Sequence, residues 1–311
     1  MKIKLGMLCT IHLIAAVALT FLTSCASLPE TTSPSPIEIT DQLGRIVALD
    51  KPPQRIISLA PSNTEILYAL GLADQVVAVT DYCNYPLEVK AKPTIGGFST
   101  PNIEEIVALS PDLVLATSMH ENKIIPQLEG KGLTVLALNP KTIDDVLEAI
   151  LLTGKVAGVE GNATALVDGM RQRIKAVADR TSGLTPEQKP KVFYVVWHDP
   201  LKTAGSETLQ DELIQKAGGT NVAQGLTAYA NISLEVVVKE DPEVIIAGIG
   251  HGSGHDQTFQ YAQVEPRLRD TDARLNNRIY AINSDLASRP GPRIVEALEQ
   301  FAQFIHPEIF K

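Results

Sequence analysis

From residue 55 onward one theme recurs along the chain: a short aliphatic run, a break at Pro, Gly or Asn, and then an amphipathic stretch. Arg55–Ala60 is β-branched and reads as a strand, followed by a Pro61-Ser62-Asn63 turn and a helix over Thr64–Leu70 that stops at Gly71. Strands follow at Val76–Val79, Leu113–Ala116 and Thr134–Leu138, with helices at Ile103–Leu109 and Ile124–Lys131. The second half repeats the style, with strands at Val192–Val196, Val244–Ala247 and Arg278–Ile282 and helices at Leu209–Ala217 and Pro292–Ile305. Ahead of all this, Ile37–Leu49 alternates around Leu43-Gly44 and predicts a hairpin. Strand–helix alternation of this kind implies mainly parallel sheets covered by helices on both faces.

One internal match is specific. Ile103–Ala116 aligns without gaps on Leu234–Ala247; both read helix, Pro, strand, with an acid (Glu104, Glu235) at the same place near the helix start. The pattern is that of two related α/β lobes. Between them Thr142 is placed to cap a helix with Asp144 and Asp145 in its first turn. From Asn162 the spacing Ala165, Leu166, Met170, Ile174, Val177, Ala178 is helical, and Thr181–Pro190 reads as a loop. The expected fold is therefore α/β: two Rossmann-like lobes with central, mainly parallel sheets joined by a long α-helix. In such folds ligands bind at the carboxyl ends of the strands, so the site is expected in the cleft between the lobes.

The N-terminus is an address rather than part of that fold. Lys2 and Lys4 precede an apolar run from Leu5 to Leu22, followed by Leu22-Thr23-Ser24-Cys25, which resembles the lipobox of bacterial lipoproteins. Residues 1–24 are then a signal peptide, and 25–36 a lipidated Cys25 with a Ser/Thr/Pro-rich tether. Residues 37–158 form the N-terminal lobe, 159–186 the connecting helix and loop, and 187–311 the C-terminal lobe. The body works outside the cytoplasm, lipid-anchored to the cell membrane, where ATP and NAD are not freely supplied. Losing Lys2 and Lys4 takes the formal charge from −9 to −11, which argues against nucleic acid as a partner. Three cysteines build no disulfide scaffold, and Cys83, alone in the body, reads as a small buried residue.

Aromatics are only 5% of the chain, so their placement carries weight. Tyr82, Tyr85, Phe98, Trp197 and Tyr229 fall in predicted strand-end loops, together with His198, His251, His255, Asp285 and Arg289. Broad ring faces with a few polar groups suit a large, flattish, partly apolar ligand better than a bare ion or a phosphate.

The runs Arg55–Glu65 (RIISLAPSNTE), Tyr82-Cys-Asn-Tyr-Pro86, Gly96-Gly-Phe98, Asn102–Glu104 with Pro111–Leu113, and Ser284-Asp285 with Arg289 and Pro292-Arg293-Ile294 resemble the helical-backbone (iron-siderophore/vitamin B12) class of ABC-importer substrate-binding proteins. The nearest likeness within that class is to its vitamin B12-binding members. The resemblance implies a class III periplasmic binding protein fold and a monomeric receptor that does no chemistry and needs no cofactor. It further implies delivery of ligand to an ABC permease and ATPase complex, with Glu104 and Glu235 docking on permease arginines. By the same matching, a corrinoid would contact Tyr82, Phe98, Tyr229, Asp285 and Arg289. Trp197 lies beside a family aromatic position rather than on it. The aromatics would pack on the ring and its lower base. Asp285 and Arg289 would hydrogen-bond peripheral amides, or Arg289 would meet a carboxylate of the alternative ligands, a ferric siderophore or haem.

Other readings have less behind them. His251 and His255 stand four apart in a stretch too glycine-rich for a helix, so no metal site is assigned, and the same loop lacks G-x-G-x-x-G spacing. An exported hydrolase, the rival of a different class, has no G-x-S-x-G, H-E-x-x-H or S-x-x-K to support it.

Overall fold

The computed structural model describes residues 36–250 and 257–310. The expected signal peptide, Cys25, residues 26–35 of the expected tether, His251 and His255 lie outside the described residues. An antiparallel hairpin opens the body, β1 (Ile37–Thr40) and β2 (Ile46–Leu49), turning at Gly44 in the left-handed region. The N-terminal half follows as β3 (Ile56–Ser58), α1 (Pro61–Ala69), β4 (Val76–Ala78), α2 (Ile103–Ala108), β5 (Leu113–Thr117), α3 (Ile124–Glu129) and β6 (Val135–Leu138). Two helices come next, α4 (Ile143–Ala157) and α5 (Glu160–Thr181). The C-terminal half runs β7 (Lys191–Val195), β8 (Trp197–His198), β9 (Leu201–Ala204), α6 (Leu209–Lys216), β10 (Thr220–Asn221), β11 (Tyr229–Asn231), α7 (Leu234–Glu240), β12 (Val244–Ile249). It closes with α8 (Gln257–Val264), α9 (Asp272–Leu275), β13 (Ile279–Asn283), α10 (Ser284–Ser288) and α11 (Ile294–Ile305).

Each half holds a parallel four-stranded sheet, ordered β4-β3-β5-β6 and β10-β7-β12-β13. In chain order both sheets read second, first, third, fourth strand. The gap-free repeat carries through to register: Leu113 pairs with Ile56 on β3, and its counterpart Val244 pairs with Val192 on β7. Strand side chains alternate faces, and here the alternation separates two kinds of core. Ile56, Leu113, Leu115, Leu136 and Leu138 join Val192, Tyr194, Val244 and Ile246 in one cluster that also includes residues of α4, α5, α6 and α11. The alternate residues face private cores: Ile57, Val114 and Ala116 with Ile106 and Ile125, and Phe193, Val195, Ile245 and Ala247 with Val237 and Ala262. Burial on both faces is why these strands read as continuous aliphatic runs.

Thr142 caps α4 in a capping box with Asp145, and Gly158 ends it in the left-handed conformation. At Gly154 a Cβ would collide with that of Ala163, so the glycine lets α5 cross α4 closely. The 22 residues of α5 extend about 33 Å at 1.5 Å per residue. Its inward stripe is Ala163, Val167, Met170, Ile174, Val177 and Thr181. Ala165 and Ala178 are exposed, a correction to the expected face. Two further corrections concern local elements. Pro61, Ser62 and Asn63 are not a turn but the first turn of α1, where the missing proline N–H costs nothing. The stretches around Trp197 and Tyr229, expected as strand-end loops, hold β8, β9 and β11, a small antiparallel sheet.

Candidate functional site

A cavity of about 770 Å³ lies between the halves. Its N-terminal wall is made where strands end: the start of α1 after β3, Asp81 to Asn84 after β4, Thr117 to Met119 after β5, and Leu138 to Pro140 after β6. The opposite wall is Gly250 at the end of β12 with Asp285, Ser288 and Arg289 on and after α10. Strand-end loops from two parallel sheets thus converge on one space, as expected for α/β sheets.

Four of the sequence-derived ligand residues, Tyr82, Phe98, Asp285 and Arg289, line this cavity. Tyr82 is 63% exposed, so its ring is presented and not packed away. Trp197 and Tyr229 are not among the lining residues. The Trp197 indole N–H donates to Asp199 O at 2.8 Å, which folds the ring over the β8–β9 turn and against His198, 4.9 Å between centroids. The Tyr229 hydroxyl donates to Gln210 Oε1 at 2.9 Å, and Gln210 Nε2 in turn reaches Ser288 Oγ on the cavity wall at 3.4 Å. His198 lies in a separate hollow with Asp199, Leu201, Tyr261 and Arg267.

Arg289 is not a free cation. Its Nη1 donates to Glu65 Oε1 at 3.0 Å and to Asn84 Oδ1 at 2.7 Å, and its Nη2 meets Asp285 Oδ2 at 2.9 Å. Arg293 joins the same carboxylate, with Nε to Glu65 Oε2 at 2.8 Å and Nη2 to Oε1 at 2.6 Å, a bidentate pair. The Arg293 guanidinium also stacks 3.8 Å over the Tyr85 ring. Burial works against the Arg293 charge, but the Glu65 hydrogen bonds outweigh it and raise its pKa. Asn84 closes the set by donating to Asp285 at 3.1 Å. Glu65 on α1 thus clamps the two halves together at the edge of the cavity. The sequence reading quoted Glu65 and Arg293 inside motifs without giving them a role; a contact spanning 228 residues leaves no local trace.

Glu104 and Glu235 occupy equivalent, exposed sites, each the second residue of its helix. Asn102 caps α2 by accepting from Glu104 and Glu105 N–H, and Ser233 caps α7 by accepting from Val236 N–H. The two differ in surroundings. Glu235 has Arg267 at 3.9 Å, and its own backbone N–H, the Ser233 hydroxyl and Arg267 hold its carboxyl below the usual range. Cys83 is buried, 3.1 Å from the Thr64 hydroxyl. Among the described residues no cluster of three or more His, Cys, Asp or Glu could hold a metal ion, and no helix is long and apolar enough to cross a membrane.

Paired parallel-sheet lobes, a helical connector and a cavity walled by strand-end loops define a two-lobed receptor of the kind that serves ABC importers. The chain belongs to the periplasmic binding protein family, whose pattern it matches over residues 56–286. It is 34% identical over 292 residues to an uncharacterised ABC transporter substrate-binding lipoprotein of Bacillus subtilis, an alignment covering 91% of this chain and 89% of the relative. The solved periplasmic vitamin B12-binding protein of Vibrio cholerae superposes with a TM-score of 0.70 at 29% identity, covering 82% of this chain and 98% of that one. A periplasmic haem-binding protein of Roseiflexus, in apo form, superposes with a TM-score of 0.72 at 26% identity, covering 82% and 98%. The chain is accordingly a substrate-binding protein of the ABC transporter type. Membership implies a small-molecule ligand, permease and ATPase partners, and an extracytoplasmic location; the relatives are transport proteins and not enzymes.

Proposed function

We propose that the protein binds a corrinoid of the cobalamin type in the interlobe cavity and hands it unchanged to an ABC permease. In this reading it acts as a monomer, without a cofactor or catalytic activity, tethered to the membrane by lipid on Cys25. Glu104 and Glu235 meet permease arginines, as charge-assisted hydrogen bonds between paired carboxylates and guanidiniums fix register.

The observation that carries the ligand class is the charge inventory of the cavity. Among the described residues its charged lining is Asp81, Asp285 and Arg289, and Arg289 is already engaged by Glu65 and Asp285. Among the described residues the wall holds no uncommitted cation, which makes it a poor host for the carboxylates of haem or the anionic groups of many ferric siderophores. It suits a large ring system whose periphery carries neutral amides. Tyr82 and Phe98 supply apolar faces, while Asp285, Asn84 and Ser288 offer hydrogen-bonding groups.

Calorimetric titration with cyanocobalamin, cobinamide, hemin and a ferric siderophore tests this. Saturable one-to-one binding of the corrinoids is expected, with hemin and the siderophore at least about a hundredfold weaker, near 2.7 kcal/mol. Hemin binding as tightly as cyanocobalamin would overturn the ligand assignment. Turnover of any of the four would overturn the receptor reading.

A further inference from the structure

His120 is a fully buried ionisable side chain directly behind the cavity wall, and the proposed recognition of ligand makes no use of it. Its ring meets two backbone groups of fixed polarity. Thr117 N–H, 3.0 Å from Nδ1, can only donate. Phe98 O, 2.7 Å from Nε2, can only accept. One protonation state satisfies both: a neutral imidazole with the proton on Nε2 and the lone pair on Nδ1. The Phe98 ring stands edge-on to the imidazole, with centroids 5.3 Å apart and planes at 75°.

Beyond the Asn102 N–H to Ile95 O bond that closes its base at 2.8 Å, few bonds hold the Phe98 segment. Gly96 sits in the left-handed region at φ +87°, pairs with Pro101 by one isolated bridge, and accepts from Asp81 N–H. Within the segment Thr100 N–H reaches Gly97 O at 3.3 Å. The imidazole is what ties Phe98 to the carboxyl end of β5.

We propose that His120 is the positioning residue of the cleft wall: as the neutral Nε2–H tautomer it links β5 to Phe98 and sets that ring for ligand, and proton uptake undoes the link. Adding a proton to Nδ1 removes the lone pair and turns an N–H toward the Thr117 N–H. The Thr117 hydroxyl oxygen, 3.3 Å from Nδ1 and already accepting from the His120 backbone N–H, is a long partner for that proton, and no charged group faces the cation. Residues 96–101 and β5 carry no ionisable side chain; Glu104 and Glu105 on α2 are exposed, as are Glu121 and Lys123 beside the histidine. Among the described residues none forms an ion pair with His120. Burial accordingly lowers the His120 pKa, partly opposed by the hydrogen bond to Phe98. The effect on ligand rests on the corrinoid reading; the link itself does not.

The test compares the wild-type protein with H120Q and H120F. A glutamine amide spans the same gap, accepting from Thr117 and donating to Phe98, but does not titrate; phenylalanine fills the space and makes neither bond. Amide hydrogen exchange at Thr117, Thr100 and Asn102, corrected for intrinsic chemistry, is followed from about pH 5 to 8, where histidines change charge. Cyanocobalamin affinity is measured over the same range. H120F should exchange about tenfold faster at these amides at neutral pH and bind cyanocobalamin about tenfold more weakly, as loss of buried hydrogen bonds predicts. H120Q should match wild type at neutral pH and, unlike wild type, stay flat as the pH falls. Superimposable pH profiles for wild type and H120Q, or undisturbed exchange in a folded H120F, would overturn the proposal. Should cyanocobalamin fail to bind wild type, the corrinoid reading falls, while the exchange data still decide for or against His120.

Discussion

Replacing Glu65 by alanine is the sharpest probe of how the halves are joined. The Glu65 carboxylate is 3% exposed and receives three short bonds from two arginines that are each 14% exposed. Removing one member of a buried ion-pair network costs about 3–5 kcal/mol when the remaining charge is stranded. Here the stranding is partial. Arg289 keeps Asp285 and Asn84, and Arg293 keeps the Tyr85 ring. The expected loss is therefore about 2–3 kcal/mol, below that range. At about 2–4 °C per kcal/mol for a body of this size, Tm should fall by roughly 4–12 °C. Differential scanning calorimetry reads the loss. A double-mutant cycle with R293A should return a coupling of about 1–2 kcal/mol, since the two side chains share one network. The effect should also have a geometric signature that a core mutation lacks: a spin-label pair, one label in each half, should show a broader distance distribution in E65A. A Tm change below about 1 °C, with zero coupling, would refute the reasoning, because such values belong to solvent-screened surface pairs.

Other outcomes follow from the same geometry. E104A combined with E235A should abolish uptake in reconstituted proteoliposomes and leave cyanocobalamin affinity within about twofold, since both acids are exposed and capping is left to Asn102 and Ser233. F98A should weaken cyanocobalamin about 5- to 100-fold, the range for truncating an aromatic at a desolvated contact, whereas Y229F, outside the cavity lining, should change it less than about threefold. R267A should speed association with the permease at low salt and lose that advantage at high salt, since Arg267 places a positive charge beside Glu235. Because His120 is harder to protonate when folded than at its ordinary value of 6.5, stability should fall as the pH drops below that value and level off once the folded state also takes the proton; urea midpoints for wild type against H120Q measure it.

What could be read from the sequence was local or repeated. The aliphatic runs of β5 and β12 stand out because both faces of each strand are buried, and their shared helix-Pro-strand context exposed the repeat and with it Glu104 and Glu235. Thr142 was legible as a cap because a capping box lies within four residues. The small sheet of β8, β9 and β11 was not legible: its strands are two to four residues long and without alternation, and Tyr229 finds Ala204 only through tertiary pairing. The position of Trp197 was not legible for the same reason, since an aromatic after a strand reads as a wall residue and only the β8–β9 turn folds its ring onto Asp199, away from the cavity lining. His120 was half hidden: its bond from Thr117 N–H lies within a local capping box, but the carbonyl it holds is 22 residues away and leaves no mark beside it.

The clamp and the spine together constrain how such a receptor releases its cargo. Helix α5 packs along α4 and α11, and Arg173 locks it to α11 through a bidentate pair with Glu299 at 2.7 and 2.8 Å. Opening by bending α5 would break i→i−4 hydrogen bonds in a helix with no internal proline. The Glu65 network adds a second brace beside it, since Glu65, Tyr85 and Arg293 line one hollow with Leu166, Met170 and Arg173 of α5. Two braces leave a wall that is largely formed before ligand arrives, so little of the binding energy is spent on ordering. Release then falls to whatever can pull on both halves at once. Under the proposed docking role, Glu104 and Glu235, one on each half and both at exposed helix starts, would be the handles for that pull, and the force they transmit would have to exceed what Glu65, Arg289 and Arg293 hold.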